Sequence, residues 1–234
     1  MSTNHNNRYQ GYDEFYLQGE RADSKRYKKY QRDCDKKFGS LLQGSLQRCV
    51  LDVGCASGML TAYLKGKGFA EVVGIDLNDK LIEQARSRVD AEFACGDALS
   101  FLKSPRRFDI IFLLNILEHI ERDQLVEFMT AVQNALNPDG FAVVRTPNMN
   151  HILAAGHLAD DLTHCTGLTE QSLSQLARLA GFREVILLNQ LHWQNFKGKL
   201  KAAYSWSLHK WLWWIRGGTK PTVIYRNLYA QLIK

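Results

Sequence analysis

The stretch Leu51-Asp52-Val53-Gly54-Cys55-Ala56-Ser57-Gly58 decides how this chain is read. It closes a short apolar run, 49–53, and opens a helical pattern from about Gly58 to Lys67. A strand that turns through glycine into a helix begins a βαβ unit. Gly54 lets the backbone turn tightly, and Gly58 lets the opening helix pack near the strand, so that a ligand approaches bare backbone amides. Many such loops are plain tight turns, so the neighbouring sequence has to discriminate.

Twenty-two residues after Gly54, Asp76 ends the next apolar run, Val72-Val73-Gly74-Ile75. An acid at the tip of a second strand is where a doubly wound sheet grips ribose hydroxyls, and its charge would repel a 2′-phosphate. Capping of the following helix suits Asn78 or Asp79 better. A third acid, Asp97 in Gly96-Asp97-Ala98, follows a third strand at 91–95 and is placed to accept an exocyclic amine. A nicotinamide dehydrogenase competes for the same glycine loop. Its usual pattern is G-x-G-x-x-G, whereas this loop reads G-C-A-S-G and no hydride-transfer constellation accompanies it.

Working outward, helices are expected at 9–45, 79–89 and 123–136, with strands at 71–75, 108–114 and 141–145. Phe108–Leu114 is a continuous apolar run of the kind buried on both faces. Asn137-Pro138-Asp139-Gly140 reads as a stop between helix and strand. Strands alternating with helices imply a parallel sheet covered on both sides, with right-handed connections.

LDVGCASG, VVGID, CGDAL, FDIIFLLNILEHI and LNPDGFAVVRTPN resemble, in order and spacing, the successive motifs of class I S-adenosylmethionine-dependent methyltransferases. The resemblance runs from about Cys49 to Asn148. It implies an α/β, Rossmann-like, seven-stranded, mostly parallel sheet, here with a helical insertion before the last strand. It also implies S-adenosylmethionine as cofactor. Asp52 would lie near the methionine amino group, Asp76 at the ribose, Asp97 at the adenine, and Asn115 beside the methionine moiety. Gly54, Cys55, Ala56 and Gly58 would line the loop, and Leu77 and Ala98 would flank the two acids. Ala56 departs from the fullest pattern, which has glycine, and predicts a slightly stiffer loop. Intact acids argue against a non-catalytic partner protein that keeps only the fold.

Methyl transfer is an in-line displacement in which alignment supplies much of the rate, and an oxygen or amine acceptor can also need a base. Histidine is the usual candidate. His119, in Glu118-His119, follows the fourth strand close to the expected methyl group, although relatives also use this pair to cap the next helix. His151 and His157 lie in a loop after the fifth strand and can equally be solvated. Asp160-Asp161-Leu162-Thr163-His164 precedes a helix capped by Thr169 and ending at Ala180-Gly181-Phe182. This D-x-T-H…T-x-x-S-L…A-G-F run resembles one found in methyltransferases of bacterial polysaccharide and lipopolysaccharide loci. It makes His164 the first candidate for general base; the alternative is a histidine that merely holds a lid loop. A metal on Asp160, Asp161 and His164 is conceivable, but nothing fixes its geometry, and no metal is expected.

The chain has 234 residues, 45% of them hydrophobic, enough for one large domain. The expected layout is N-terminal cap helices (1–45), a cofactor-binding core (46–191), an insertion (192–221) and a final antiparallel strand (222–234). Tyr9, Tyr12 and Tyr16 are candidate lid residues. The first sixteen residues lack an apolar h-region, so no secretory signal is expected. Five scattered cysteines without a C-x-x-C pair predict free thiols in a reducing cytoplasm.

The net charge of +6 is concentrated. From Val185 onward there is no Asp or Glu, while Lys197, Lys199, Lys201, Lys210, Arg216, Lys220, Arg226 and Lys234 fall there, with all five tryptophans. Helical spacing at 197–216 puts Leu200, Ala203, Tyr204, Ser207, Leu208, Trp211, Trp214 and Ile215 in one stripe. Lysines and tryptophans around an apolar stripe suit an anionic membrane surface. The alternatives are a homodimer contact or packing on the core. Nucleic acid is not expected: the fourth strand ends in Asn115-Ile116-Leu117-Glu118 rather than the N-P-P-aromatic run of base-amine methylating enzymes. The expected reaction is O-methylation of a sugar or lipid-linked glycan hydroxyl at the cytoplasmic membrane face. A lipophilic acceptor such as a quinone precursor is the alternative.

Overall fold

The structure, a computed structural model, describes residues 24–44, 46–151, 153–188, 196–216, 221, 223 and 225–234. The apolar run at 49–53 forms β1 (Cys49–Val53), and the glycine turn leads into α2 (Met59–Gly66), after α1 (Ser24–Phe38). The alternation continues as β2 (Glu71–Asp76), α3 (Asp79–Arg88), β3 (Glu92–Cys95), α4 (Ala98–Leu102), β4 (Phe108–Leu114), α5 (Leu125–Ala135) and β5 (Leu136–Pro147). It ends with α6 (Ala154–Ala159), α7 (Glu170–Leu179), β6 (Glu184–Leu187), α8 (Phe196–Arg216) and β7 (Asn227–Ile233).

Seven strands among the described residues make one sheet in the order β3-β2-β1-β4-β5-β7-β6. The first five pair in parallel, and β7 runs antiparallel between β5 and β6. The chain reverses direction between β1, which pairs outward with β2, and β4, which starts the other half. Ligands of such sheets bind outside the carboxyl ends of the strands at that switch.

Strand periodicity divides the core. Leu51, Val53, Ile111 and Leu113 point toward α5 and α7, burying Phe128, Val132, Leu173 and Ala177. Val50, Ile110 and Phe112 point the other way, onto Phe38, Leu60, Tyr63 and Leu64 of α1 and α2. Asp52 falls on this second face, a carboxylate between two apolar neighbours.

Several boundaries differ from the sequence reading. Within the expected helix 9–45, the described helix is Ser24–Phe38; Tyr9, Tyr12 and Tyr16 lie outside the described residues. The Asn137–Gly140 stop is drawn into β5, because Leu136 pairs with Phe108 across a register shift and Asn137 Nδ2 donates to Asp109 Oδ1 (2.8 Å). The loop after β5 carries α6, so His157 is helical. The last strand begins at Asn227 rather than 222. Its approach is clasped by buried Asn148, whose Nδ2 donates to the carbonyls of Val223 and Tyr225 (both 2.9 Å). Thr169 caps α7 as expected, in a reciprocal box with Ser172. The five cysteines are free.

In α8 the apolar stripe is mostly turned away from the protein, and other residues make the docking face. His209 is buried, its ring 5.7 Å from that of His151, and Leu208, Leu212 and Trp213 are half-buried beside it. Tyr204, Trp211, Trp214 and Ile215, members of the expected stripe, are exposed, Trp214 by 80%. Lys210 Nζ sits 3.8 Å from the Trp206 ring centroid, a cation–π contact on an exposed tryptophan. Among the described residues no helix is long and apolar enough to cross a membrane.

Candidate cofactor pocket and acceptor site

The glycine loop is held by its acids. Gly54 and Cys55 donate their backbone N–H groups to Ile75 O, which ties the turn to β2. Gly54 has φ +68°, and a Cβ there would strike the Ile116 side chain. The β1 turn and the end of β4 therefore approach each other at a distance only glycine permits. Gly58 (φ +77°) begins α2, and a Cβ there would lie 2.9 Å from Ala85 Cβ; the close neighbour is α3, not the strand anticipated from sequence. Ala56 occupies the left-handed region at φ +46°, a conformation that glycine adopts without strain.

Asp52 is buried and accepts a hydrogen bond from Thr61 Oγ1 (2.9 Å). Burial, reinforced by the charge of Asp76, pushes its carboxyl up to about 7. Such a group awaits a cation. Asp76 accepts from the Ala56 N–H through Oδ2 and from the Asn78 N–H through Oδ1 (both 2.9 Å), with lone pairs to spare on each oxygen. Asn78, not Asp76, caps α3. Asp97 is exposed and caps α4, its Oδ1 accepting from Ser100 N (2.8 Å) and Oγ (2.7 Å), a structural duty the sequence reading missed. Leu77 is exposed at 47% and Ala98 half-buried, each beside its acid on the carboxyl side of the sheet.

The end of β4 supplies the other wall. Asn115 sits at φ +61°, its N–H donating to Arg145 O (2.8 Å). Its side-chain Oδ1 is buried without a hydrogen-bond partner. The same holds for Glu118 Oε1 and Arg145 Nε. Buried orphans are rare in folded proteins, and the Asn115 and Glu118 oxygens place two of them just past the β4 end, a place suited to a ligand. Arg145 had no assigned role in the sequence reading; a lone arginine inside the apolar run Ala142-Val143-Val144-Arg145 was the available signal.

Glu118 and His119 lie in a single 3₁₀ turn (117–119) and do not cap α5, whose N-cap is Gln124. Glu118 Oε2 accepts from Thr146 Oγ1 (3.1 Å), and burial raises its carboxyl to about 7. Its backbone oxygen accepts from Cys165 N (2.9 Å) and Thr166 N (3.1 Å), which anchors the 160–166 loop over the sheet edge. That loop brings His164 to His119, ring centroids 4.8 Å apart in an edge-to-face arrangement. Burial, helped by His164, lowers His119 to about 4, so its imidazole is neutral. Thr163 Oγ1 donates to Asp161 Oδ1 (2.6 Å) and lies 2.8 Å from His119 Nδ1, where it accepts the ring proton. In that tautomer Nε2 is the basic ring nitrogen. His164 Nε2 is 3.9 Å from Asp161 Oδ2. The structure thus brings together the two candidate histidines and separates them from Asp52 and Asp76 by the Asn115 turn. Asp160 is not part of the cluster; Glu118 takes its place.

A sheet reversed only at β7, a glycine turn on buried acids and an orphaned amide at the β4 end define a class I S-adenosylmethionine-dependent methyltransferase. The chain belongs to the methyltransferase domain family, whose model matches residues 23–187. The N-terminal Xaa-Pro-Lys N-methyltransferase 1 of Danio rerio is 26% identical over 167 residues, 68% of this chain and 71% of that protein. The ubiquinone biosynthesis O-methyltransferase of Neisseria meningitidis serogroup C (strain 053442) is 31% identical over 108 residues, 43% of this chain and 44% of that one. A SAM-dependent methyltransferase from Archaeoglobus fulgidus superposes with TM-score 0.66 at 18% identity, covering 89% of this chain and 94% of its own.

The residues present fit the cofactor. Asp52 is a buried carboxylate in need of a cation, Asn115 offers an unpaired acceptor, and Gly54 leaves room where a Cβ would not.

Proposed function

We propose that the protein methylates a hydroxyl of a polar, sugar- or glycan-type acceptor that is presented at a membrane surface. The bound cofactor supplies an electrophilic methyl on a sulfonium. Asp52 and Asn115 would hold its methionine end, Asp76 the ribose, and Asp97 with Leu77 and Ala98 the adenine side, while Gly54 to Gly58 form the floor. The observation that carries the acceptor class is the polarity beyond Asn115: Glu118, His119, Asp161, Thr163 and His164 meet there, and Glu118 holds an orphaned buried oxygen. Hydroxyl-rich acceptors satisfy such groups, whereas an apolar ring would leave them unpaired at about 1–3 kcal/mol each. The acceptor's proton would be taken at the His119–His164 pair, with His164 as the first candidate for the base.

Membrane presentation rests on α8. Its outer face exposes Tyr204, Trp206, Trp211, Trp214 and Ile215 beside Lys210, in a chain segment without acids. Indole rings and lysine suit the headgroup layer of an anionic bilayer. A lipophilic phenol, such as a quinone precursor, is the second reading. It is favoured by the similarity to ubiquinone biosynthesis O-methyltransferases.

The test is calorimetric titration with S-adenosylmethionine and, separately, NAD, on wild type and Asp76→Ala, followed by an acceptor screen. Micromolar binding of the first alone, lost in the variant, and methyl transfer to lipid-linked glycans support the proposal. Transfer only to phenols, or only to peptide amines, would replace the acceptor class; no binding of the cofactor would overturn the whole reading.

A further inference from the structure

We infer that Glu118, His119 and His164 form a binding site for one divalent transition cation at the acceptor end of the pocket. One donor atom from each lies within 4.8 Å of the other two, and the three come from two local structures: the β4 exit turn, which holds Glu118 and His119, and the 160–166 loop folded over it, which holds His164. Among the described residues this is the group of metal-capable side chains that meets.

Two independent features point to a cation rather than to a chance meeting of histidines. Glu118 Oε1 is buried with no hydrogen-bond partner while Oε2 takes the Thr146 hydroxyl, so one carboxylate oxygen is committed to the fold and the other is kept open. His119 is fixed through Nδ1 by the Thr163–Asp161 pair, at 2.8 Å and 2.6 Å, which orients its ring and presents Nε2. Metal-bound histidines are held in this way, by a hydrogen bond from the other ring nitrogen to a polar group that is itself anchored on a carboxylate. Asp161 also stands 3.9 Å from His164 Nε2, so the same acid lies beside both rings.

Two imidazoles and one carboxylate select zinc, manganese or ferrous iron over magnesium or calcium, which favour oxygen donors throughout. Three protein ligands leave a coordination position for an outside oxygen, as catalytic sites require. Bonds of about 2.1 Å place tetrahedral donors roughly 3.4 Å apart, so the cluster would close by about an ångström of side-chain rotation on loading.

This deepens the acceptor site proposed above and rests on it for its role, though not for the binding itself. An acceptor hydroxyl on the open position would lose its proton to solvent more readily. An oxygen lone pair then forms the C–O bond as the C–S bond breaks, and the sulfur keeps the C–S bonding pair as a neutral thioether. His164 would then serve as ligand rather than as free base.

The test is titration of chelator-stripped full-length protein with cobalt chloride, read by visible absorption, and with zinc chloride, read by calorimetry. S-adenosylmethionine binding and methyl transfer are followed in parallel samples. The expected result is one cation per chain, lost in Glu118→Gln and His164→Ala, unchanged in Asp160→Asn, and weakened about 10–100-fold in Thr163→Val. Thr163→Val keeps all three ligands and its side-chain volume, so it tests the support even where the ligand variants unfold. Absence of any saturable cation binding, with cofactor binding and methyl transfer intact after chelation, would overturn the site and return His164 to the role of free base. Binding that survives Glu118→Gln and His164→Ala would place the cation elsewhere and overturn it as well. The cobalt spectrum does not need the cofactor, so a failure to bind S-adenosylmethionine bears on the proposed function alone.

Discussion

Replacing Asp52 with asparagine should stabilise the cofactor-free protein while damaging its cofactor affinity. Asp52 is 3% exposed, and burial together with the neighbouring Asp76 charge raises its carboxyl from 3.8 to about 7. Each pKa step is worth about 1.4 kcal/mol, so keeping this carboxylate ionised in the fold costs up to about 4 kcal/mol. Below 3.8 both folded and unfolded forms are protonated, and the penalty vanishes. It accumulates as pH rises from 3.8 to 7, because the folded state holds the proton more tightly, and it is complete above 7. Asparagine keeps an acceptor for Thr61 Oγ1 without the charge. Urea unfolding of the cofactor-free proteins should therefore find Asp52→Asn more stable by up to about 4 kcal/mol at pH 8 and by about 2 kcal/mol at pH 5. Saturating S-adenosylmethionine should shrink or reverse that order, since only the carboxylate gains from a ligand ammonium; losing a buried charge partner costs about 2–5 kcal/mol. A variant no more stable than wild type at pH 8, or a difference that ignores pH, would refute the reasoning.

Gly54→Ala should abolish cofactor binding and destabilise the fold by about 2 kcal/mol or more, because it combines φ +68° with a clash on Ile116; adding Ile116→Ala should restore part of the stability in the same unfolding assay. Ala56→Gly should do the opposite and raise stability by about 1 kcal/mol, by relieving the left-handed strain at φ +46°. Wild type should float with anionic vesicles at low salt and lose that association in Trp211→Ser/Trp214→Ser with cofactor affinity unchanged, both residues being exposed on α8. A dimer that dissociates in the same variant, without vesicle binding, would assign that face to a second copy instead.

The sheet was legible in the chain because each strand signal is local. β4 appears at the residues expected, since a seven-residue run that is apolar but for Asp109, with polar residues on either side, has few alternatives. The boundaries that moved depend on partners far along the chain: Leu136 becomes strand by pairing with Phe108, and the approach to β7 is set by Asn148. On α8, spacing alone found a helix with an apolar side but not its orientation. Docking through buried His209 turns Tyr204, Trp211, Trp214 and Ile215 of that side outward.

The sequence by itself determined the fold class, the cofactor and the acids beneath the glycine loop, because turn chemistry and strand ends are read over a few residues. Only the tertiary structure decided that His119 and His164 meet, and that Glu118 rather than Asp160 joins them. Those contacts join positions about thirty to fifty residues apart, through a loop hung on one backbone oxygen of Glu118, and no local pattern encodes a meeting of that kind.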